Sequence, residues 1–517
     1  MNYKNGNQSK FGGSCPALFE AVHPEVYRRN AFRIMGLSVE ATPREITQRA
    51  QRIQMMQRYN AEATPKTPLA LDPPPDENAV RKAVHKLHDP EKRQIDESFS
   101  FWPHQLGQSK TDQALALLSE NDIDGAAEQW RQMEKSSEAC VSMHNLAVLF
   151  HCLALDLEQV ALSRKLHQKE LAVVGKYWAD AFSRWKALLD HEPFWSRLTA
   201  RIRALEDPRL TTGLARRIRA SLPLGCLSIN AALAVRYAEA GNLEAVRRQL
   251  KIMRLWGDSG LSQRALRQAC EPIRKRINSI CMDREKRADR EPTRADKTTR
   301  EVIEQTQPLL AILDALLPAG DAMREAAHDE DATCALHCQV AYANKAENWR
   351  VSLKLLELAL PIAVGKAARD RISENMDIVR NNLAYPTCWF CQQNPAEDEA
   401  SIEVKMYGDV NRIPTRLGVQ ITWRHCSVKV PRCLECKKAH SKKDFAIGGA
   451  IVRALVGTAI FPLIGTLAGC WVGYLIGKNL DKSRIPKGVK PESAKSEFPS
   501  VKRLLSQGWQ FGEGPST

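Results

Sequence analysis

Four cysteines stand as two Cys-x-x-Cys pairs, Cys388 with Cys391 in "CWFCQQNPA" and Cys433 with Cys436 in "PRCLECKKAH". Two intervening residues let both thiolates of a pair reach one cation, and two pairs complete the tetrahedral sulfur cage that Zn²⁺ prefers. The 41 residues between the pairs exceed the usual ribbon spacing. Within them, however, "SIEVKMYG" and "VQITWRHCSVKVP" alternate and are rich in Val and Ile, as ribbon strands are. His425, Cys426 and His440 are nearby substitutes, but the four paired cysteines are the expected ligands. Four thiolates leave no open coordination position, so the expected Zn²⁺ is structural and not catalytic.

The other chemistry-bearing residues point to less. "HDEDATCALHC" holds His328, Cys334, His337 and Cys338. In a helix Cys334 and Cys338 share a face, and buried small residues account for them better than a metal does. No phosphate-binding glycine loop, nucleophile elbow or His-Glu-x-x-His is found, so the chain is not expected to be an enzyme. The start, "MNYKNGNQSKFGGSC", lacks the apolar run of a secretory signal. The fourteen cysteines are therefore read in a reducing cytoplasm, where paired cysteines mean metal more often than disulfide.

The elements that must position these residues are mostly helices. The chain of 517 residues is rich in Ala, Leu and Arg and only 6% aromatic, which favours a mainly α fold. Its net charge of +15 favours anionic partners. We divide it into a flexible lead (1–24), a small helical domain (25–103), a helical array (108–383), the ribbon (384–442), an apolar segment (446–477) and a basic tail (478–517). In the array, "TDQALALLSENDIDGAAEQWRQM" reads as helix, tight turn and helix; "SINAALAVRYAEAGNLEAVRRQLKIM" repeats the theme around Ala-Gly-Asn. These pairs resemble degenerate tetratricopeptide units, which implies an α-solenoid-like array of hairpins presenting a concave surface to a partner. The charged stretch 283–301 reads as a solvated connector or exposed helix end.

"YRRNAFRIMGLSVEATPREITQRAQRIQ" and "LHDPEKRQIDE" resemble the opening and the ending of a J domain, the module of DnaJ co-chaperones. Thr42 is the expected N-cap, with Pro43 at the first helical position and Glu45 completing a capping box. The resemblance covers roughly a fifth of the chain, and its middle departs from the family. J domains trigger a DnaK-type ATPase with a His-Pro-Asp loop, which this sequence lacks. The proline-rich stretch 63–77 stands in its place, and "HDP" at His88–Pro90 lies at the wrong end. The resemblance therefore implies a J-like helical fold kept for contact, not for ATPase stimulation.

After the second cysteine pair comes "AIGGAIVRALVGTAIFPLIGTLAGCWVGYLIG" (446–477), with one charge, Arg453, and one proline, Pro462. Gly465, Gly469, Gly473 and Gly477 form a glycine zipper, which packs helices closely and can support oligomers. The run is long for one span of roughly 20 residues, and each half rises only about 23 Å when split at Pro462. Basic residues flank both ends, so both are expected on the cytoplasmic side, as a Gly-rich helical hairpin at the inner membrane. One kinked span and a soluble buried helix pair are the competing readings.

The leading functional expectation is a membrane-associated, co-chaperone-like adaptor whose partner is a DnaK-type chaperone or its client. A nucleic-acid-binding or antiviral-defence effector is the alternative, distinguished by steeply salt-dependent binding. A membrane-disrupting, pore-forming protein is the third, distinguished by liposome leakage.

Overall fold

The computed structural model describes residues 14–58, 69–71, 73–109, 111–135, 139–210, 213–384, 387–415, 418–441 and 488–515. The chain is mainly helical, with a three-stranded sheet. It divides into two units, residues 1–276 with 308–324 and residues 277–307 with 325–517.

The first unit begins with α1 (Pro16–Ala21), α2 (Ala31–Met35), α3 (Pro43–Arg58), α4 (Glu77–His88) and α5 (Pro90–Ser98). The expected lead is thus ordered from residue 14. Six residues cannot hold a helix by their own hydrogen bonds; burial of Cys15, Leu18 and Ala21 holds α1 instead. The capping box at α3 is made: Thr42 N–H donates to Glu45 Oε2 at 2.8 Å, and Glu45 N–H to Thr42 Oγ1 at 3.3 Å. Most of the proline-rich stretch before α4 lies outside the described residues. The His88-Asp89-Pro90 triplet is a helix start, where Asp89 accepts from the N–H groups of Glu91 and Lys92 and Pro90 takes the first helical position.

α5 is a brace. Asp96 accepts from Ala31 N–H at 2.7 Å and pairs with Lys86 at 2.5 Å. Arg93 donates to the carbonyls of Val39 and Ala41 and pairs with Glu97 at 3.0 Å. These bonds tie residues 30–41 to residues 86–97 through buried charges whose partners are all protein atoms, the arrangement burial requires.

The chain continues through α6 (Gln113–Ser119), α7 (Ile123–Met133), α8 (Ala139–Ser163), α9 (Gln168–Leu189), α10 (Glu192–Ala204), α11 (Leu214–Glu239), α12 (Leu243–Arg254), α13 (Ser259–Arg290), α14 (Ala295–Leu316), α15 (Ala322–Ala346), α16 (Trp349–Ala359) and α17 (Lys366–Ala384). Three of its hairpins turn by one device. Asn121, Gly241 and Glu347 take left-handed φ values of 66°, 71° and 50°. The following residue, Asp122, Asn242 or Asn348, then caps the next helix through the N–H of Gly125, Ala245 or Val351. The charged stretch 283–301 is no open connector: it ends α13 and begins α14, with Ala288, Ala295, Thr298 and Thr299 buried and Arg287 paired to Glu301 at 2.9 Å.

α8 and α11 are long and apolar enough to cross a membrane, but both are mostly buried inside the first unit. Gly225 of α11 receives α1, since a Cβ there would already touch Leu18 and Val22 at 3.4 Å. α8 carries the polar centre of this core. His151 Nδ1 accepts from the Tyr27 hydroxyl at 3.0 Å and Trp185 Nε1 at 3.3 Å, and His144 Nε2 lies 2.9 Å from the Ser98 carbonyl. Burial drives His144 down to about 4 and His151 to about 3. Two turns beyond, fully buried Glu158 accepts from Tyr237 at 2.5 Å, Arg248 at 3.1 Å and Gln249 at 2.7 Å.

In the second unit, Leu356, Ile372, Met376 and Val379 form a core of α15–α17. Beyond it are β1 (Ile402–Thr415), β2 (Gly418–Val430), α18 (Leu434–Ser441), α19 (Pro499–Ser506) and β3 (Gln510–Phe511), in sheet order β2-β1-β3. The expected basic tail is therefore part of the ribbon from residue 488 onward: β3 pairs with Met406 and Tyr407 of β1. The apolar segment 446–477, with its glycine zipper, lies outside the described residues.

Candidate metal centre

The long hairpin of β1 and β2 solves the spacing problem posed by the two cysteine pairs. Its register places Ile402 opposite Val430, so the chain leaves and returns at one point. Around that point, Trp389 N–H donates to the Pro431 carbonyl at 2.9 Å and Glu397 N–H to the Arg432 carbonyl at 3.1 Å. The four sulfurs of Cys388, Cys391, Cys433 and Cys436 consequently lie within 4.8 Å of one another. A tetrahedron of Zn–S bonds of about 2.3 Å has edges of about 3.8 Å; Cys391 and Cys433 are 3.9 Å apart.

Each pair is shaped by its own backbone. In the first, Cys388 N–H donates to the Asn394 carbonyl and Gln392 N–H to the Cys388 carbonyl, both at 2.8 Å, with Gln392 at φ 55°. The second opens α18, where Cys436 N–H faces the Cys433 sulfur at 3.5 Å. Burial pushes the Cys388 and Cys436 thiols up, the latter further through the sulfurs beside it. Burial also raises Cys391, but the N–H groups of Asn394 and Gln393 and the neighbouring thiols outweigh it and bring this group to about 7. N–H groups aimed at sulfur favour thiolate, the form that binds a cation. The donor set therefore fits a metal ion held by all four cysteines, three of them buried.

The substitute ligands stay apart. Cys426 pairs across the sheet with Met406 and His425 with Tyr407. His440 Nε2 lies 3.1 Å from the Lys490 carbonyl, its ring edge-on to Phe390 at 4.8 Å. In the other cluster, Cys334 and Cys338 are buried as expected, Cys334 against the Cys281 carbonyl at 3.5 Å, while His337 points outward to Asp289 at 2.8 Å. Sequence reasoning missed residues 488–515. Phe498 and Val501 complete the core around the cage, and Trp509 covers Gly408, where a Cβ would come within 2.5 Å of the indole. A glycine in a strand signals such a close approach, but it does not name the visitor.

Set against known proteins, the chain matches no family model, no curated protein and no solved structure.

Proposed function

We propose that this protein is a membrane-associated, co-chaperone-like adaptor that binds a protein partner through its J-like module and helical array, with Zn²⁺ held structurally by Cys388, Cys391, Cys433 and Cys436. The observation that carries the reading is the buried brace of Arg93, Asp96 and Glu97. It keeps the frame of the N-terminal module rigid although no His-Pro-Asp trigger is in the sequence. A rigid frame without a trigger serves contact. Beside it opens a cavity of about 510 Å³, lined by Phe32, Leu37, Phe99, Phe101, Leu115 and Arg33. That size and apolar lining suit side chains of a partner segment.

The test is capture of a purified DnaK-type chaperone, or a chaperone–client complex, by the full-length protein. Capture without stimulated ATP hydrolysis, weakened by Leu37→Asp, is the expected result; absence of capture overturns the adaptor reading. Fractionation tests the membrane part. The full-length protein should sediment with membranes through a carbonate wash, and a deletion of 446–477 should not.

The nucleic-acid reading draws less support. On the ribbon, Lys405, Arg424 and Lys429 are paired with Glu513, Asp409 and Asp398, which leaves less positive charge for phosphates.

A further inference from the structure

The first unit carries a second groove, apart from the cavity lined by Phe32 and Leu37. It opens at the turn end of the hairpins, where the α12–α13 turn meets the α14–α15 turn. Its volume is about 620 Å³, and its floor is made by Leu250, Met253, Leu266, Leu316, Leu317 and Pro318. Hydrogen bonds and ion pairs fix both walls. On one side Asp258 accepts from Leu261 N–H at 2.9 Å and starts α13. On the other, Arg324 pairs with Asp314 at 2.7 Å and donates to the Leu317 carbonyl at 3.2 Å, while Arg267 pairs with Asp321 at 2.8 Å.

Charge around this groove is one-sided. Asp258, Asp314 and Asp321 are answered by the bonds just given. The cations of the α12 side are not. Arg247, Lys251 and Arg254 stand at i, i+4 and i+7 on the exposed side of α12, opposite buried Ala245, Gln249 and Ile252. Arg254 lines the groove, and so does Gly257. Lys186 of α9 brings its ammonium to 3.5 Å from where a Cβ on Gly257 would stand. Among the described residues, none of these four exposed cations has a carboxylate partner.

An apolar floor beside an unanswered basic rim calls for an occupant that is apolar on one side and acidic on the other. A nucleic acid brings the negative charge, but it stacks its bases on aromatic rings, and none lines this groove. A bilayer surface is too flat to reach buried Met253 and Leu266 at the floor. An amphipathic protein segment, with apolar residues at helical spacing and Asp or Glu between them, meets both demands.

We propose that this groove docks an acidic amphipathic segment of a partner protein, its apolar side chains on the Leu250–Leu317 floor and its carboxylates on Lys186, Lys251 and Arg254. The proposal rests on the adaptor reading, in which the array binds a protein partner, and adds that partner's chemistry. The test uses the full-length protein and a short fluorescent peptide of Leu and Glu at helical spacing, read by anisotropy. The peptide should bind, and binding should slow amide exchange within 250–266 and 314–318. Lys251→Glu with Arg254→Glu, both at the surface, should weaken it about tenfold. Lys345→Glu with Arg350→Glu makes the same charge change on exposed residues of the second unit and should leave affinity within about twofold. Absence of binding, or equal weakening by the two pairs, overturns the proposal. So does a single-stranded oligonucleotide, or an anionic vesicle, that binds more tightly than the peptide and is lost with the Lys251 and Arg254 pair. Leu37→Asp keeps the two readings apart, since it should weaken chaperone capture and leave the peptide bound. Chaperone captured by a protein that does not bind the peptide overturns the groove and leaves the adaptor standing.

Discussion

Around α8 two buried polar side chains are answered by other parts of the protein: His151 at Nδ1 by Tyr27 and Trp185, Glu158 by Tyr237, Arg248 and Gln249. At the centre of the ribbon, four sulfurs face mainly one another, inside a cluster whose larger apolar members are Phe390, Val404, Met406, Val430, Phe498 and Val501. The helical core meets part of its buried polar demand with hydrogen bonds between side chains, although His144 Nδ1, His151 Nε2 and Ser142 Oγ find no partner, and it gains stability from wide aromatic burial. The ribbon is smaller, and the metal that its four thiols fit would supply the stability its own burial cannot. One chain therefore has two centres that fail for different reasons.

The largest expected effect comes from the metal. Chelation, or Cys433→Ser, should remove the roughly 10 kcal/mol or more that a structural Zn²⁺ contributes. Limited proteolysis should then cut within 388–441 and 488–515 while α8–α12 stay resistant, and metal analysis should show loss of one equivalent. A ribbon that stays resistant without metal would break the contrast.

Acid should do the reverse. His144 and His151 titrate below the 6.5 of an exposed histidine because burial penalises their charged forms. Below about pH 6.5 the unfolded chain takes up protons at these positions that the folded chain refuses. Their stabilisation is therefore complete above that pH and lost as pH falls toward the folded values, about 3 kcal/mol for each by pH 4. Denaturant melts of the first unit across pH 4–7 should show the slope. His151→Gln, which can still accept from Tyr27, should lower it by about a third, since burial also holds His23 of the same unit down to about 4.

A smaller loss, about 3–5 kcal/mol, is expected for Glu158→Ala, which leaves Arg248 without its buried partner; chemical denaturation at pH 7 measures it. Asn242→Ala should cost only about 1 kcal/mol through the cap on α12, and it should leave metal content unchanged.

What could be read from the sequence was local. The capping box at Thr42, the Ala-Gly-Asn turn before α12 and the Cys-x-x-Cys pairs each put their physical cause within four residues of its effect. Alternation also marked strands within 401–408 and 419–431; near the base of the hairpin Val404, Met406 and Val430 are buried while Glu403, Lys405 and Lys429 are exposed, but the strand ends beyond residue 408 expose both faces and carry no such signal. What escaped was made by distant partners. α1 exists because Leu18 meets Gly225 across two hundred residues, and the placement of residues 488–515 is decided by Gly408 and Trp389, far up the chain. Nothing in "FPSVKRLLSQGWQF" announces a third strand. Periodicity reports a segment's own faces and is silent about which remote surface receives them.

The return of residues 488–515 to the ribbon also has a meaning in time. Synthesis runs from the N-terminus, so both cysteine pairs and the long hairpin emerge before residues 446–477, while Phe498, Val501 and β3 follow them. The four cysteines are all made early, but the core around them cannot be finished until the chain beyond the apolar stretch has left the ribosome. Closing that gap costs loop entropy, which grows only slowly with the number of residues enclosed. Packing of Phe498, Val501 and β3 onto the ribbon therefore waits until residues 446–477 have been made.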